Sequence, residues 1–544
     1  MGLLLAAGML FAAGSPAGAI DFKAQGEWLV GFGVGDGNLV SKTGPRGGQK
    51  NRADTNDTFN AGQRVRLQLD AVASEALSGT VFFEIGTQYW GDNTDNHDVG
   101  GGALGADGIV VKVKNAYLDW VVPQTDLKFR MGLQAVALPN AAGGSAILDA
   151  DGAAVTASYK FNDNVGLTAM WVRPANDNYT GWTDAGGNRR DRNYLDNMDL
   201  FMLSLPLTFD GIEVTPWVMY GMLGKNALDG LNDFYSQRHS LGTPNRDDGN
   251  PLGGDPRWET KDGALAQTLT SWHPGFNVPE ALGRRGKAYS SMFWAGLPVT
   301  LSLWDPLNIE FDINYGYVEG IGRYDVTDNR RVNLNWTDQV KRANTKRSGW
   351  LVKALVEYKL DWGVPGIFAW YASGDDGNVK NGSERMPSVA GAGNFTSFVG
   401  DGNLAWGTIT KGNSYDWNMS YAGTWGVGLQ LRDMSFIDDL EHTFRVALWG
   451  GTNSPSMVRY FNSSSGWNNS DVYGADGPYL TTHDNLLEFN LVNSYKMYEN
   501  LELNLELGYV VNMINKGTWD RRWMNDSYQK QDAWKAQLIF AYTF

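Results

Sequence analysis

Basic side chains recur two residues apart in the first quarter of this 544-residue chain. The pairs are Arg64 with Arg66, Lys112 with Lys114, and Lys128 with Arg130. Residues two apart in a β-strand point to the same face of the sheet. Cationic groups held in such rows attract anions and, in a water-filled channel, set the field that ions cross.

Residues that carry out bond-making chemistry are sparse. The chain has no cysteine, which excludes disulfides, thiolate metal sites and cysteine nucleophiles. No phosphate-binding or nucleophile-elbow motif occurs, and the few histidines show no H-x-x-x-H spacing. We therefore expect no enzyme activity, no cofactor and no metal site. The histidines are His97, His239, His273, His442 and His483.

Three aspartates at intervals of three, Asp92, Asp95 and Asp98, leave two interpretations open. Their oxygens are suitable ligands for Ca²⁺, but a solvated acidic loop is the favoured interpretation. The basic segments 284–285, 341–342 and 346–347 similarly either bind lipopolysaccharide phosphates or are solvated, and solvation is again favoured.

Composition excludes two broad classes of protein. The chain has 45 basic and 60 acidic residues, a formal net charge of −15, which argues against a nucleic-acid partner because that needs a basic face. The mean hydropathy of −0.34 excludes a bundle of membrane-spanning helices. The length alone would suggest three or four soluble domains, at roughly 150 residues for each.

The N-terminus has the pattern of an export signal. Residues 3–13 form an apolar run, and Ala17-Gly18-Ala19 follows as an A-x-A-like cleavage site. The run is too short for a membrane helix, which needs about 20 residues. No Lys or Arg precedes it, so either the true start lies upstream or the signal is atypical. We predict a signal peptide over 1–19 and a mature domain over 20–544.

Apolar and polar residues alternate along many segments of about ten residues. Between 501 and 509 every odd position is Leu or Tyr, whereas Glu502, Asn504 and Glu506 occupy even ones. The last strand shows the same period and ends at Phe544. A period of two predicts strands with two different faces. A soluble sandwich gives the same pattern strand by strand, but so many strands favour an all-β transmembrane barrel.

Connector lengths support this interpretation. Eight short links alternate with nine long loops that are rich in Gly, Asn, Asp and Ser. Short turns at one rim and long loops at the other are typical of outer-membrane barrels, with periplasmic turns and extracellular loops. We predict 18 antiparallel strands, with 16 as the alternative, closed by pairing 20–34 with 533–544. The short links are 73–77, 123–125, 162–164, 210–211, 305–306, 361–365, 435–440 and 496–499.

Aromatic residues lie near the ends of the predicted strands, at positions that alternation places outside the barrel. Amphipathic rings favour the level of lipid headgroups, so we predict two aromatic girdles. The residues are Trp28, Phe32, Trp350, Tyr358, Trp425, Trp534 and Tyr542.

Two segments resemble a known family. Residues 56–79 (NDTFNAGQRVRLQLDAVASEALSG) and 127–163 (LKFRMGLQAVALPNAAGGSAILDADGAAVTASYKFND) are similar to the outer-membrane homotrimeric porins of Desulfovibrio-type sulfate-reducing bacteria. The terminal Phe544 resembles the end of outer-membrane barrels in general. The resemblance implies a homotrimer in the outer membrane of a Gram-negative bacterium and passive diffusion of solutes. It also implies contact with lipid and lipopolysaccharide, and assembly machinery that reads Phe544.

A channel of 16–18 strands is water-filled, so its selectivity depends on the constriction. By analogy with the third loop of general trimeric porins, we predict that loop 135–151 folds inward, because it combines apolar residues with Gly143, Gly144 and Gly152. The carboxylates of Asp149 and Asp151 would then face the Arg and Lys side chains of the barrel wall. The opposite charges would create an electric field across the pore. The predicted constriction residues are Arg64, Arg66, Glu84, Lys112, Lys114, Arg130, Asp149 and Asp151.

Rival functions remain open at this point. A substrate-specific channel, for oligosaccharides or organic anions, would use inward aromatic rings, for which the candidates are Phe82, Trp217, Phe368 and Trp449. A barrel enzyme would need a Ser/His/Asp-type constellation. An exported soluble adhesin or lectin would form no membrane-embedded trimer.

Overall fold

Long strands follow one another along the part of the chain that the structure describes. The computed structural model describes residues 20–36, 39–41, 58–92, 102–105, 111–176, 197–224, 269, 289–320, 323–327, 339–391, 395–396, 421–460, 480–518 and 529–544. The predicted signal peptide, 1–19, lies outside these residues. No helix among them is long and apolar enough to cross a bilayer.

One antiparallel sheet contains the long strands of the described residues. It has twenty segments, which make eighteen strands because two strands are each interrupted by a proline, Pro206 or Pro216. Proline has no N–H to donate to the sheet, so the ladder breaks at these points. The first nine strands are β1 Asp21–Asp36, β2 Thr58–Ser74, β3 Leu77–Tyr89, β4 Val111–Val121, β5 Lys128–Ala137, β6 Asp149–Lys160, β7 Gly166–Asn176, β8 Asn197–Ser204 with Leu207–Phe209, and β9 Ile212–Val214 with Trp217–Gly224.

The remaining nine strands complete the circuit, each paired with its neighbours in sequence. They are β10 Tyr289–Trp304, β11 Leu307–Val318, β12 Arg347–Tyr358, β13 Val364–Ala372, β14 Thr424–Ile437, β15 Leu440–Gly451, β16 Asn485–Tyr498, β17 Leu501–Met513 and β18 Ala533–Thr543. Smaller elements lie between them: a ribbon of Arg323–Thr327 with Gln339–Asn344, a bridge of Val40–Ser41 with Gln529–Lys530, and a 3-10 helix, Pro455–Tyr460.

The sheet closes on itself. β1 pairs with β2 on one side and with β18 on the other, in a register that runs from Glu27 opposite Thr543 to Asp36 opposite Trp534. The predicted closure and the prediction of 18 strands are therefore confirmed. The eight predicted short links all coincide with turns between strands to within a few residues.

Alternate residues of each strand lie on opposite faces of the closed wall. On β13, Ile367 and Tyr371 are exposed on the outer face, whereas Phe368 and Trp370 are buried on the inner face. The outer face is apolar over most strands, as expected where the surrounding solvent is lipid and unlike a surface in water. The predicted outward aromatic residues all lie on this face, as the pairing of Trp425 with the exposed Tyr371 illustrates.

Inward aromatic rings lie flat over glycines on the neighbouring strand. Phe368 is opposite Gly428, and Trp370 is opposite Gly426. A Cβ added to Gly428 would lie 2.2 Å from Cζ of Phe368, closer than any real contact. Glycine is thus required at these positions by the close approach of the ring, and the contact fixes the register between β13 and β14.

We expect Gly428→Ala to destabilise the barrel by about 1–3 kcal/mol, the usual effect of overpacking a buried contact. The matched control is Gly79→Ala, because a Cβ at Gly79 would meet its nearest heavy atom at 3.9 Å. Urea unfolding of the refolded barrel measures both changes. Equal stability of the two variants would contradict the assigned role of Phe368.

Candidate pore lining

A row of charges crosses three neighbouring strands on the inner face. The register places Arg66 opposite Glu84, and Glu84 opposite Lys112. Nε of Arg66 donates to Oε2 of Glu84 at 2.9 Å. Arg64 lies two residues before Arg66 on the same face and is nearly buried. The register thus places these four side chains on the inner face, and their part in a constriction stays a prediction.

A second inward ion pair lies nearer the short-turn rim. Arg130 of β5 donates to both carboxylate oxygens of Asp119 on β4, at 2.7 and 2.9 Å. Its guanidinium lies 4.1 Å from the centre of the Tyr117 ring. The side chains of Arg130 and Asp119 remain 43% and 36% exposed, so water reaches them from the lumen. Exposed pairs contribute little stability, so this pair mainly shapes the local field.

The loop between β5 and β6 folds into the barrel. Its base closes with a hydrogen bond from the Leu138 amide to the Leu148 carbonyl, and Leu138, Ile147 and Leu148 are buried. Gly143 and Gly144 both have positive φ, a conformation that favours glycine. The prediction that this loop packs inward is confirmed for residues 138–148.

Contacts with distant strands hold the tip of this loop. The amide of Ala142 donates to Oε2 of Glu310 on β11 at 2.7 Å, and the Tyr421 hydroxyl donates to the Gly143 carbonyl at 3.1 Å. Nζ of Lys353 on β12 donates to the Gly144 carbonyl. The loop therefore reaches a wall six strands further around the barrel.

Under the loop tip lies a buried ion pair. Lys353 and Asp312 lie opposite each other on β12 and β11, 3.2 Å apart, and both side chains are almost fully buried. Burial of both ions is costly, so removal of one partner costs more than removal of both. The pair ties the loop tip to the wall through the Gly144 carbonyl.

A second segment, 373–391, also enters the barrel and joins the first loop. The amides of Val389 and Ala390 both donate to the Ile147 carbonyl, at 2.8 and 3.0 Å. The Asp149 amide donates to the Ala390 carbonyl at 2.6 Å. The interior is thus narrowed by two loops that are hydrogen-bonded to each other.

The inner wall fixes this second loop at several points. Nε1 of Trp294 on β10 donates to the Pro387 carbonyl at 2.9 Å. Arg347 of β12 donates to the carbonyls of Arg385 and Met386, at 3.1 and 3.0 Å. These bonds satisfy backbone carbonyls that are buried away from water.

A group of carboxylates organises the outer part of the second loop. Asp375 accepts from the Ser383 hydroxyl at 2.5 Å and from the Glu384 amide at 3.1 Å. Glu384 in turn accepts from the Asp376 amide at 3.2 Å. Burial, and to a lesser extent the charges of Asp375 and Asp376, raise the pKa of Glu384 to about 7. Burial also raises the pKa of Tyr421, which packs on the first loop.

The pKa of Glu384 predicts a dependence of loop stability on pH. The folded loop retains a proton that the unfolded loop, with an ordinary Glu pKa of 4.5, releases earlier. The resulting stabilisation is complete below pH 4.5 and is lost as the pH rises to about 7. We expect hydrogen-exchange protection of residues 373–391, corrected for intrinsic rates, to fall several-fold from about pH 5 to about pH 8.

The variant Glu384→Gln removes the titrating group but keeps the acceptor for the Asp376 amide. It should show the same protection at both pH values. A wild-type loop with protection independent of pH would contradict this role for Glu384.

A further charged cluster lines the inner wall of β12, β14 and β15. Arg432 donates to both oxygens of Glu357, at 2.6 and 2.9 Å, and Gln430 donates to the same carboxylate at 2.8 Å. Arg445 donates to Oε1 of Gln430 at 3.3 Å. The inner face therefore carries both positive and negative side chains in two separate groups of strands, β2–β5 and β12–β15. This cluster was missed in the sequence, although Glu357 stands out among apolar neighbours on a regularly alternating strand.

The predicted placement of Asp149 and Asp151 needs correction. Both belong to strand β6 instead of the inward loop, and the register places them opposite Ala137 and Ala135. Those alanines alternate with the inward, buried Gln134 and Val136, so the two aspartates lie on the outer face. They are therefore not on the lumen face.

Lys114 also differs from the prediction. The register between β3 and β4 shifts by one residue between Phe82 and Phe83, which interrupts the simple alternation at Lys114. Lys114 forms an ion pair with Asp151, whose other oxygen accepts from Asn115 at 2.8 Å. The structure thus joins Lys114 to Asp151 and not to the inward row of Arg66, Glu84 and Lys112.

The candidate aromatic residues face inward, but of the four only Phe82, which is partly exposed, offers its ring to a solute. Trp217, Phe368 and Trp449 are each at most 3% exposed. Phe368 stacks on Phe395 with ring centres 4.9 Å apart, and Trp370 meets Tyr421 edge to face at 5.8 Å. The cluster anchors segments between β13 and β14 to the wall.

Several predicted features lie outside the described residues. They include Asp95 and Asp98 of the acidic loop, the basic pair at 284–285 and three of the five histidines, at 97, 239 and 273. Among the described residues, no group of three or more His, Cys, Asp or Glu side chains is arranged to hold a metal ion.

Comparison with known proteins gives only distant likenesses. No protein-family model matches the chain, and none of the curated proteins matches it. Among solved structures, Pseudomonas aeruginosa OpdL is similar at 11% identity and a TM-score of 0.43, over 96% of this chain and 99% of the other. P. aeruginosa OccK9 (OpdG) has 9% identity and a TM-score of 0.46, over 96% and 98%.

Acinetobacter baumannii OccAB3 is similar at 9% identity with a TM-score of 0.43, over 96% of this chain and 99% of the other. Likenesses this distant add nothing to the fold that the strand pairing already establishes.

Proposed function

We propose that the chain is an outer-membrane porin of a Gram-negative bacterium, a water-filled channel for passive diffusion of small hydrophilic solutes and ions. The observation that carries the proposal is the contrast between the two faces of one closed sheet. The outer face is apolar, and the inner face carries ion pairs such as Arg66 with Glu84 and Arg130 with Asp119. A closed barrel satisfies its backbone hydrogen bonds without water.

The spacing of outward aromatic residues supports a membrane location. On β12 Trp350 and Tyr358 are eight residues apart, and on β18 Trp534 and Tyr542 have the same spacing. Eight residues span about 26 Å along a strand, or about 20 Å across the membrane at the usual tilt. That distance is close to the apolar band of about 25 Å seen on outer-membrane barrels.

Conductance across a planar bilayer tests the proposal directly. Purified, refolded protein should produce stepwise current increases that scale with salt concentration, as expected for a water-filled channel. Insertion without any current would contradict the porin function.

A substrate-specific channel remains the second candidate, in its organic-anion form. The inward Arg64, Arg66 and Lys112, together with the two loops that narrow the interior, favour recognition of carboxylate groups. The sugar form has less support, because three of the four candidate rings are buried and Phe82 alone forms no track of rings. Saturable block of single-channel current by small carboxylates, but not by sugars, would favour this candidate over the first.

The inward basic groups give a prediction for ion selectivity. Neutralising Arg64, Arg66 and Arg130 with glutamine leaves Glu84 and Asp119 without their cationic partners, so the reversal potential in a salt gradient should shift toward cations. The shift should shrink in high salt, since the screening length falls from about 10 Å at 0.1 M to about 3 Å at 1 M.

The matched control neutralises Asp149 and Asp151 with asparagine. Because these carboxylates lie on the outer face, the reversal potential should stay unchanged. A reversal potential that ignores the three arginines would contradict their place at the constriction.

We further propose that the protein is a homotrimer surrounded by lipid and lipopolysaccharide, and that the barrel-assembly machinery reads its C-terminus. Phe544 supports the last point. Its amide and carbonyl are hydrogen-bonded to Gly26 on β1, at 3.0 and 2.7 Å, and its half-exposed ring stacks on Tyr542 at 5.7 Å. The terminal residue thus lies at the seam where the barrel closes.

Replacing Phe544 with Ser should lower the amount of assembled protein in the outer membrane and leave export across the inner membrane intact. The ring is half exposed, so its loss should have little effect on stability in vitro. Heat-modifiable gel mobility of membrane fractions measures assembly, and refolding in detergent is the control. Unchanged assembly in cells would count against the role of Phe544.

A further inference from the structure

The eight short turns of the barrel share one charge pattern. They lie at one rim and comprise residues 75–76, 122–127, 161–165, 210–211, 305–306, 359–363, 438–439 and 499–500. Every turn contains at least one acidic residue, whereas the only basic residue in them is Lys359. In the nine long loops, acidic and basic residues occur in nearly equal numbers. The acids of the turns, here called the turn-rim carboxylates, are Glu75, Asp126, Asp163, Asp210, Asp305, Asp361, Asp438, Asp439 and Glu499.

The formation of the turns does not account for these charges. Neutral side chains accept the capping hydrogen bonds, as Ser74 does from the Ala76 amide and Asn162 does from the amides of the two residues that follow Asp163. Among the described residues, no turn-rim carboxylate takes part in a side-chain hydrogen bond or an ion pair, and all nine are exposed to water. Their charges therefore act on the surrounding solution.

The adjoining strand ends do not neutralise this rim. Arg130 is bonded to Asp119, and Arg432 is bonded to Glu357, so these charges cancel in pairs. The residues within three positions of a turn carry nearly balanced charge. They are the acids Asp119, Glu213, Glu357, Glu441 and Glu502 and the bases Lys128, Arg130, Lys160 and Lys496.

The size of the rim decides how far the carboxylates act. Strands about 4.8 Å apart and tilted by about 40° each take up about 6 Å of the rim. Adjacent turns, which are two strands apart, are then separated by about 12 Å, and eighteen strands give the rim a radius of about 18 Å. Carboxylates of adjacent turns are too far apart to chelate one ion, so they act together only through their electric field.

That field reaches the centre of the mouth at low salt. The nine carboxylates and Lys359 leave eight negative charges. Coulomb's law in water, with a screening length of about 30 Å at 0.01 M, gives about five-fold enrichment of monovalent cations on the axis at this level. At 1 M the screening length is about 3 Å, and the enrichment disappears.

A charged mouth at one end makes conduction depend on the direction of the current. Cations carry most of the current through such a mouth, whereas both ions carry it deeper in the lumen, where the charges are mostly paired. When the turn side is positive, cations enter through the mouth faster than they leave the lumen, and anions arrive from the other end. Salt then accumulates in the channel, and the opposite voltage depletes it.

We propose that the turn-rim carboxylates make the periplasmic mouth a cation-enriched entrance, so that the channel passes more current when the periplasmic side is positive than when it is negative. This inference rests on the proposed porin function, which identifies the short-turn rim as the periplasmic one.

Current–voltage curves in a planar bilayer test the inference. In 0.01 M salt, the wild type should pass roughly 1.5 to 2 times more current with the turn side positive than with it negative, and the ratio should fall to about 1 in 1 M salt. A variant with Asn for each turn-rim aspartate and Gln for each turn-rim glutamate should give a ratio of about 1 in both solutions. The matched control exchanges Asp149 and Asp151 for asparagine at the opposite end of β6 and should keep the wild-type ratio.

Thiol labelling separates charge from structure and fixes the orientation of the channel, because the chain has no cysteine of its own. The variant Glu75→Cys with Glu499→Cys keeps the other seven carboxylates. A cationic methanethiosulfonate reagent should lower the current ratio of this variant further, and an anionic one should restore the wild-type ratio. A neutral reagent of similar size is the control for bulk. Each reagent, which does not cross the membrane, is added to one chamber and then to the other, and the faster reaction identifies the turn side.

The possible outcomes separate this inference from the proposed function. A symmetric wild-type curve in 0.01 M salt, a larger current with the turn side negative, or a ratio that is insensitive to the charge of the label would overturn the inference and leave the porin function intact. Absence of any current would reject the porin function and this inference with it.

Discussion

The closure of the sheet is the constraint on which the rest of the structure depends. Each strand must bond to two neighbours, because an unpaired edge in lipid would leave peptide groups without partners. β1 meets this requirement by pairing with both β2 and β18. Once the ring is closed, alternation assigns every side chain to one of two surroundings, so the division between an apolar outside and a charged inside follows from the backbone.

The interior uses its charges mostly in pairs. Arg66 with Glu84, Arg130 with Asp119 and Arg432 with Glu357 each join an acid and a base across the wall. Such pairs keep opposite charges close to water while limiting the net field. The protein is strongly acidic overall, but a solute in the lumen responds only to charges within a screening length of about 8–10 Å.

The fold was predictable from the sequence because a period of two is a strong local signal and because turns and loops differ in length. On β17 leucines alternate with Glu502, Asn504 and Glu506, and the structure follows that pattern. The limit of the signal is visible at the end of β5 and the start of β6. There Ala135, Ala137 and Gly152 give no contrast in polarity between the two faces of the strand. These positions were therefore predicted to form a loop, and Asp149 and Asp151 were predicted to point into the lumen. The tie between residues 138–148 and 373–391 left no local trace, since more than 200 residues separate the partners.

That tie makes the two loops one mechanical unit. The Ile147 carbonyl receives the amides of both Val389 and Ala390, so neither segment can be moved without breaking the bonds of the other. Grafting one loop from a related channel would leave buried backbone groups without partners. Evolution or engineering of the narrow region must therefore exchange both segments together, and a change of solute preference would appear as paired substitutions distant in sequence.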